Sequence, residues 1–183
     1  MITSTGLSPN ERAEQLIGRD YISHSAIATY SACPLKFFFR YVEGLPEETV
    51  SSSLVFGSSI HSAIQFHFEE MLVGNPAPSL ATLLSVYHDA WSSRQDQEIR
   101  FSKGQDLDSL SDLAGRMLSA FQGSEIGSPT GTNTILGIEE EIRGPLVPGC
   151  PDLLARLDLI VDTGDVLKVV DFKSAPDVSG RTP

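Results

Sequence analysis

The spacing of apolar residues predicts helices over the first two thirds of the chain. In "SSLVFGSSIHSAIQFHFEEMLVG", Ile60, Ile64, Phe68 and Met71 recur at intervals of three or four residues, which is typical of one face of a long helix. The same spacing predicts two more amphipathic helices, in "SLATLLSVYHDAWSSRQ" and "DLDSLSDLAGRMLSAFQ". The proline-containing "NPAP" separates the first helix from the second.

The N-terminal part predicts shorter helices. Residues 1–20 form a polar lead-in with a short helix at 9–18. In "ISHSAIATYSACPLKFFFRYV", Ser23 or Ser25 can cap a helix, and Pro34 should end it and begin a second one. We expect the "FFF" that follows to lie first of all in the core, although aromatic side chains can also stack on nucleic-acid bases.

The pattern changes after the glycine-rich "GSEIGSPTGTNT", which predicts a loop. Alternating apolar residues then predict three strands, in "TILGIEEEIRG", "DLLARLDLIVD" and "DVLKVVDFKS". Helices therefore come first and strands cluster late, which indicates an α/β or an α+β domain.

Two aspartates lie in neighbouring predicted strands. In "LLARLDLIVD" the apolar residues alternate, so Asp158 falls on the opposite face of its strand. A two-residue turn at Thr163-Gly164 would pair Asp158 with Val169 and leave Asp171 as a diagonal neighbour, about 7–8 Å away at the backbone. A four-residue loop keeps both carboxylates on one face, whereas a three-residue loop separates them.

Such a pair, with Lys173 on the same face as Asp171, can serve a metal and an anion together. A few oxygen ligands favour Mg²⁺ or Mn²⁺, with water completing the coordination. Lys173 would position or help deprotonate an attacking water and stabilise a phosphate as its charge grows. The plainer interpretation is an exposed sheet face with an Asp–Lys salt bridge, and the residues alone leave it open.

Composition changes this picture only slightly. The formal net charge of −11 over 183 residues argues against a nucleic-acid partner, because phosphate binding needs Lys and Arg. The argument is weak, since a metal site also needs carboxylates. The apolar runs are too short for a membrane helix, and the N-terminus lacks signal-peptide features, so we expect a cytoplasmic protein without a membrane partner. We expect Cys33 and Cys150 to be reduced. The ending "DVSGRTP" has no closing helix or strand, so we expect a fragment.

Five stretches, taken in order, carry a resemblance to a known family. They are "SHSAIATYSACPLKFFFRYVEGL", "FGSSIHSAIQFHFE", "ILGIEEEI", "LLARLDLIVD" and "VVDFKS". Together they resemble the RecB-like branch of the PD-(D/E)XK nuclease superfamily, which includes RecB- and AddB-type nuclease domains and the CRISPR-adaptation exonucleases. The resemblance covers about residues 21–176.

This resemblance implies an α/β fold with a restriction-endonuclease-like core, in which helices flank a mixed central sheet and the N-terminal half is helical. The polar lead-in, residues 1–20, would precede a nuclease domain over 21–183 whose C-terminal part is missing. The family's Gln/Tyr helix motif after the D-x-K motif is not in this sequence. A family glycine before the first motif aspartate is Ala155 here.

The resemblance also implies roles for individual residues. Asp158, Asp171 and Lys173 match the catalytic residues, and His61, Asp158, Asp171 and the backbone carbonyl of Phe172 match the metal ligands. Glu139 matches an acidic residue that supports the site. His61 could instead be a core-edge histidine, and Glu139 could belong to a solvated run of three glutamates.

Further residues match DNA contacts and a cluster ligand. Ser23, Tyr30, Lys36 and Arg40 would contact the DNA strand, although Lys36 and Arg40, four apart on one helix, could equally be a surface pair facing Glu43. Some relatives bind a [4Fe-4S] cluster, and Cys33 matches its first ligand. The cluster is possible only if a longer native chain supplies three more cysteines.

The sequence therefore predicts a DNA nuclease that depends on Mg²⁺ or Mn²⁺. We expect an exonuclease that hydrolyses phosphodiester bonds in DNA repair or recombination, acts on single strands or duplex ends, and works with a helicase subunit or domain. A non-catalytic module that binds DNA ends or a helicase is the alternative. A structural α/β domain without a nucleic-acid role is a third interpretation, which the order of the motifs argues against.

Overall fold

A computed structural model describes residues 6–94, 97–128 and 134–173. The chain divides into two compact units. The first combines the residues up to Glu47 with Glu140–Leu157, and the second combines Glu48–Glu139 with the residues from Asp158 onward. None of the helices in the described part of the chain is long and apolar enough to cross a membrane.

The first unit is mainly helical. Its elements are α1 (Pro9–Ile17), β1 (Tyr21–Ser23), α2 (His24–Ala32), α3 (Pro34–Phe37) and a π-helical turn (Phe38–Val42). The predicted helix at 9–18 is confirmed. It begins with a capping box, in which Ser8 Oγ accepts from the Glu11 N–H and the Glu11 carboxylate accepts from the Ser8 N–H. It ends at Gly18, whose φ of 68° glycine adopts at little cost.

The next two helix starts also agree with the prediction. Ser23, rather than Ser25, caps α2, with its Oγ 3.3 Å from the Ala26 N–H. Pro34 is the first residue of α3. The prediction that "FFF" lies in the core is wrong for two of its members, because Phe38 and Phe39 are 40% and 44% exposed. Consecutive helical residues point about 100° apart, so three in a row cannot all face one core.

The second unit packs three long helices. Its elements are β2 (Thr49–Ser51), α4 (Ser52–Leu72), α5 (Leu80–Ser92), β3 (Glu98–Arg100), α6 (Leu107–Gln122) and β6 (Leu167–Val170). The three long helices confirm the predicted ones. The residues that define the predicted apolar face of α4 are in the core or against it, with Ile60, Ile64 and Phe68 buried and Met71 half-buried. The parallel pair of β2 and β3 was not predicted.

A mixed sheet follows the helices. β4 (Thr134–Gly144) and β5 (Asp152–Asp162) are neighbours in it. The start of β5 pairs in parallel with β1, and its end pairs antiparallel with β6. The three predicted late strands are present. This mixed α/β architecture with a helical N-terminal half confirms the predicted fold class, a restriction-endonuclease-like core.

The hairpin between β5 and β6 differs from the predicted one. Asp162 lies opposite Leu167, so four residues connect the strands, and the expected two-residue turn is wrong. The longer loop is held locally, because the Asp162 carboxylate accepts from the Gly164 N–H at 2.8 Å and the Thr163 N–H donates to the Val166 carbonyl at 3.1 Å. β6 also ends earlier than expected, at Val170, so Asp171 and Lys173 follow the strand rather than belong to it.

Candidate metal centre

The candidate site lies within the second unit, and its first member comes from the long helix α4. His61 follows the buried Ile60, and its side chain is 29% exposed. Its Nδ1 lies 3.8 Å from Glu139 Oε1 and 3.7 Å from Asp158 Oδ2. His61 therefore faces two carboxylates rather than the interior of the core.

Asp158 comes from β5, where alternation separates it from the core. Its neighbour Leu159 is fully buried on the opposite face of the strand. The Asp158 side chain is 11% exposed, and its Oδ2 accepts a 2.6 Å hydrogen bond from the backbone N–H of Phe172. This bond holds the carboxylate on the side of the sheet where His61 lies.

Glu139 reaches the same place through an irregular backbone. Its φ is 52°, inside strand β4, a left-handed conformation that costs a side-chain-bearing residue free energy. As a result Ile138 and Glu139 are both half-buried, whereas strict alternation would send one of them outward. Glu140 and Glu141 are exposed, so the three glutamates of the run are not equivalent. Backbone strain of this kind is often found at functional sites.

Together these side chains form a donor set that fits a divalent cation. One atom each of His61, Glu139 and Asp158 lies within 4.8 Å of the others, and all three residues are half-buried. Two carboxylates this close repel each other unless a positive charge lies between them. Carboxylate oxygens suit Mg²⁺ and Mn²⁺, and an imidazole nitrogen also suits the later transition metals.

The structure places Asp171 and Lys173 differently. The Asp171 side chain is 60% exposed and pairs with Lys173 Nζ at 2.5 Å, so it is not in the three-residue cluster. The hydrogen bond that Lys173 donates to Asp171, together with the negative charges of Asp171 and Asp158, raises the pKa of Lys173. The ammonium thus lies within electrostatic range of the cluster, and the Asp–Lys salt bridge that the sequence left open is present here.

A comparison with protein families matches residues 21–181 to the PD-(D/E)XK nuclease superfamily. The chain belongs to this superfamily. Members of the PD-(D/E)XK nuclease superfamily are generally metal-dependent nucleases that act on DNA. No curated protein matches the chain in sequence. The matched range includes the whole cluster as well as Asp171 and Lys173, so the superfamily assignment and the donor geometry concern the same part of the chain.

For this nuclease-superfamily member, the predicted metal ligands divide into two groups. The structure brings His61 and Asp158 together, with Glu139 as the third donor. Phe172 takes part through its N–H, and the ligand roles of Asp171 and of the Phe172 carbonyl stay predictions. The resemblance matched Glu139 to a supporting acid, whereas spacing alone did not separate it from Glu140 and Glu141. In the structure its left-handed φ of 52° accompanies its inward position.

Another histidine of α4, His67, is structural. His67 is buried, its Nε2 lies 2.7 Å from the carbonyl oxygen of Gly127, and its ring packs edge-on against Phe68 and Phe121. Burial lowers the pKa of His67, because the charged imidazolium would lose its hydration. The neutral ring therefore belongs to the core.

The residues predicted to contact DNA lie in the first unit. Tyr30 is 56% exposed, and Ser23 is occupied by its cap of α2. Lys36 and Arg40 do form a surface pair, but their partner is Glu47, at 3.4 and 3.2 Å, rather than the expected Glu43. Exposed ion pairs of this kind stabilise a fold only weakly, so both cations can change partners.

The two thiols are free and exposed. Cys33 Sγ accepts from the Lys36 N–H at 3.4 Å and so caps α3. The cluster-ligand role of Cys33 stays a prediction.

Proposed function

We propose that this chain is a divalent-metal-dependent DNA nuclease of the RecB-like branch. The observation that carries the proposal is the convergence of His61, Glu139 and Asp158 within 4.8 Å, with the Lys173 ammonium within electrostatic range of Asp158. Two acids, one imidazole and one cation beside them are the groups that a phosphodiester and a divalent metal would need.

In the proposed reaction the chain's residues have separate roles. His61, Glu139 and Asp158 would hold a divalent cation, which would supply Lewis-acid stabilisation of the charge that develops on the phosphate. The Phe172 N–H fixes the orientation of Asp158. Lys173 attracts the phosphate and positions the attacking water, because a lysine ammonium stays protonated at neutral pH.

We assign Asp171 and the carbonyl of Phe172 to the same cation. The support is their position in the chain, since the Phe172 N–H already bonds Asp158 and Asp171 directly precedes it. Asp171 would then exchange its pairing with Lys173 for the metal, which would release the lysine toward the substrate.

The finer parts of the proposal concern substrate and setting. We propose an exonuclease that acts on DNA ends in repair or recombination, with a helicase subunit or domain as partner. Exposed Tyr30, Phe38 and Phe39 are the groups that would stack on bases. Lys36 and Arg40, which flank the two phenylalanines in sequence, would contact phosphates. Free exposed thiols suit the reducing cytoplasm, where we place the protein.

A non-catalytic module that binds DNA ends or a helicase is the second candidate. The observation that favours it is the Asp171–Lys173 ion pair, because these two residues neutralise each other outside the cluster. It predicts DNA binding that survives loss of the metal and no turnover under any condition.

End-labelled DNA tests the proposal. Single-stranded and duplex DNA is incubated with the protein in Mn²⁺ or Mg²⁺, beside Asp171→Ala and the matched control Asp165→Ala, an exposed acid of the β5–β6 loop. We expect wild type and Asp165→Ala to shorten the DNA and Asp171→Ala to leave it intact. Shortening by all three proteins would refute the role of Asp171, and shortening by none would favour the binding module.

A further inference from the structure

A cavity of about 280 Å³ opens beside the candidate metal centre, within the second unit. His61 and Lys173 both line it. Its other walls are apolar and come from α4, α6 and the residue before Lys173, chiefly Ile64, Met117, Phe121 and Phe172. The cavity therefore joins a metal ligand and a fixed positive charge at one side to an apolar interior.

The metal centre does not require this apolar space. A cation needs oxygen or nitrogen donors, and the interior of the cavity offers hydrocarbon and aromatic surface instead. Ligand sites typically combine apolar walls with a few convergent polar groups. The volume is near the lower limit of about 300 Å³ for drug-sized ligands, so it suits a single small flat group.

Aromatic packing gives the cavity a firm wall. The Phe172 ring stacks on Phe68 with centroids 6.1 Å apart and meets Phe121 edge-on at 5.9 Å. Phe68 is buried, whereas Phe121 and Phe172 are half-buried and line the cavity. A flat heteroaromatic group entering here would find an aromatic surface that neighbouring rings hold in place.

We propose that this cavity is a nucleobase pocket, which receives the base next to the phosphate that is cut. This inference rests on the proposed nuclease function. A nucleotide has an apolar flat base joined to an anionic phosphate, and the cavity has an apolar interior joined to Lys173 and to His61 of the metal centre. The charges and the polarity of ligand and site thus match from end to end.

The lining also determines the selectivity of the pocket. Among the residues that line it, His61 and Lys173 carry the charged or hydrogen-bonding groups, and the others contribute carbon or thioether surface. Stacking tolerates any base, since every base has an aromatic face. The pocket therefore distinguishes a nucleotide with a base from an abasic one, rather than one base from another.

The test combines removal of the base with filling of the pocket. Ala120 lines the cavity and is exposed, so Ala120→Trp can fill it without displacing core atoms. Ala81, an exposed residue of α5 that does not line the cavity, provides the matched control Ala81→Trp. Binding of short fluorescent oligonucleotides in Ca²⁺ is measured by anisotropy, with a tetrahydrofuran abasic unit at each position in turn, and gels verify that the DNA stays intact.

For wild type and Ala81→Trp we expect one abasic position to weaken binding about tenfold, the size of one lost base–aromatic stack. Ala120→Trp should weaken binding of intact DNA to a similar extent and show no further loss at that position. If Ala120→Trp and the abasic unit weaken binding independently, so that their fold losses multiply, the pocket is refuted while the nuclease proposal stays intact. The same conclusion follows if no abasic position weakens binding. Lack of oligonucleotide binding by wild type would overturn the pocket, and the cleavage assay would decide the nuclease function separately.

Discussion

Replacing Asp158 by asparagine should weaken divalent-metal binding strongly while preserving the fold. The amide keeps an oxygen that can accept the Phe172 N–H, which now lies 2.6 Å from Asp158 Oδ2. It removes one of the two negative charges in the cluster. The change therefore tests the charge of the centre and disturbs its packing little.

The expected size follows from the geometry. A unit charge and a divalent ion 4 Å apart at an effective dielectric constant of 20 interact by about 8 kcal/mol, and an ion bound by the three donors would lie within this distance of Asp158. The side chain is 11% exposed, so solvent screens it only in part. The desolvation of the carboxylate and of the ion offsets much of this attraction, and the amide oxygen retains a dipole, so about 2–3 kcal/mol should be lost and the metal Kd should rise about 100-fold.

Calorimetric titration with Mn²⁺ measures this change directly. Asp165→Asn is the matched control, because it removes the same charge from an exposed position in the same hairpin. Thermal unfolding of each protein checks that the fold is retained. A Kd for Asp158→Asn equal to that of the control would refute the centre, because a carboxylate that binds the ion cannot lose its charge without weakening the complex.

Three further outcomes are expected. Glu139→Gly should leave stability nearly unchanged, because relief of the left-handed φ offsets the flexibility of glycine, whereas Glu140→Gly should cost about 0.5–1 kcal/mol in urea unfolding; equal losses would contradict the strain at Glu139. Burial lowers the pKa of His67 below its ordinary value of 6.5, so as the pH falls the unfolded state binds the proton before the folded state does. The free energy of unfolding should therefore decrease as the pH drops below 6.5. His67→Gln should flatten this dependence in pH-dependent thermal unfolding, and an unaltered slope would assign it to other groups. Lys173→Met should keep Mn²⁺ affinity in calorimetry but lose DNA cleavage, since the ammonium acts on the phosphate; lost affinity would make Lys173 a structural part of the metal centre.

The strain at Glu139 bears on how the centre is built. Along an ordinary strand the side chains would alternate between the two faces, and Glu139 would be exposed like Glu140 and Glu141. The left-handed residue resets the alternation so that an acid follows Ile138 on the inner side. A fold that tolerates this cost at one position obtains a third donor within reach of His61 and Asp158.

The sequence by itself determined the elements and most of the chemistry. Apolar periodicity identified α4, α5, α6 and the late strands, since burial of a helix face or a strand face requires that spacing. The ordered motifs identified His61 and Asp158 before their distance was known. The alternation of side chains along a strand placed Asp158 on the face away from the core, and this holds whichever strand pairs with it.

Tertiary structure alone decided which of the acids converge. Local hydrogen bonds of the Asp162–Val166 loop set a four-residue connection, which no spacing rule distinguishes from a two-residue turn. The early end of β6 left Asp171 paired with Lys173. The resemblance pointed to Glu139, but a single backbone angle explains why it turns inward while the other two glutamates of the run are exposed. A side chain's partner depends on such angles and on residues distant in sequence, which periodicity does not encode.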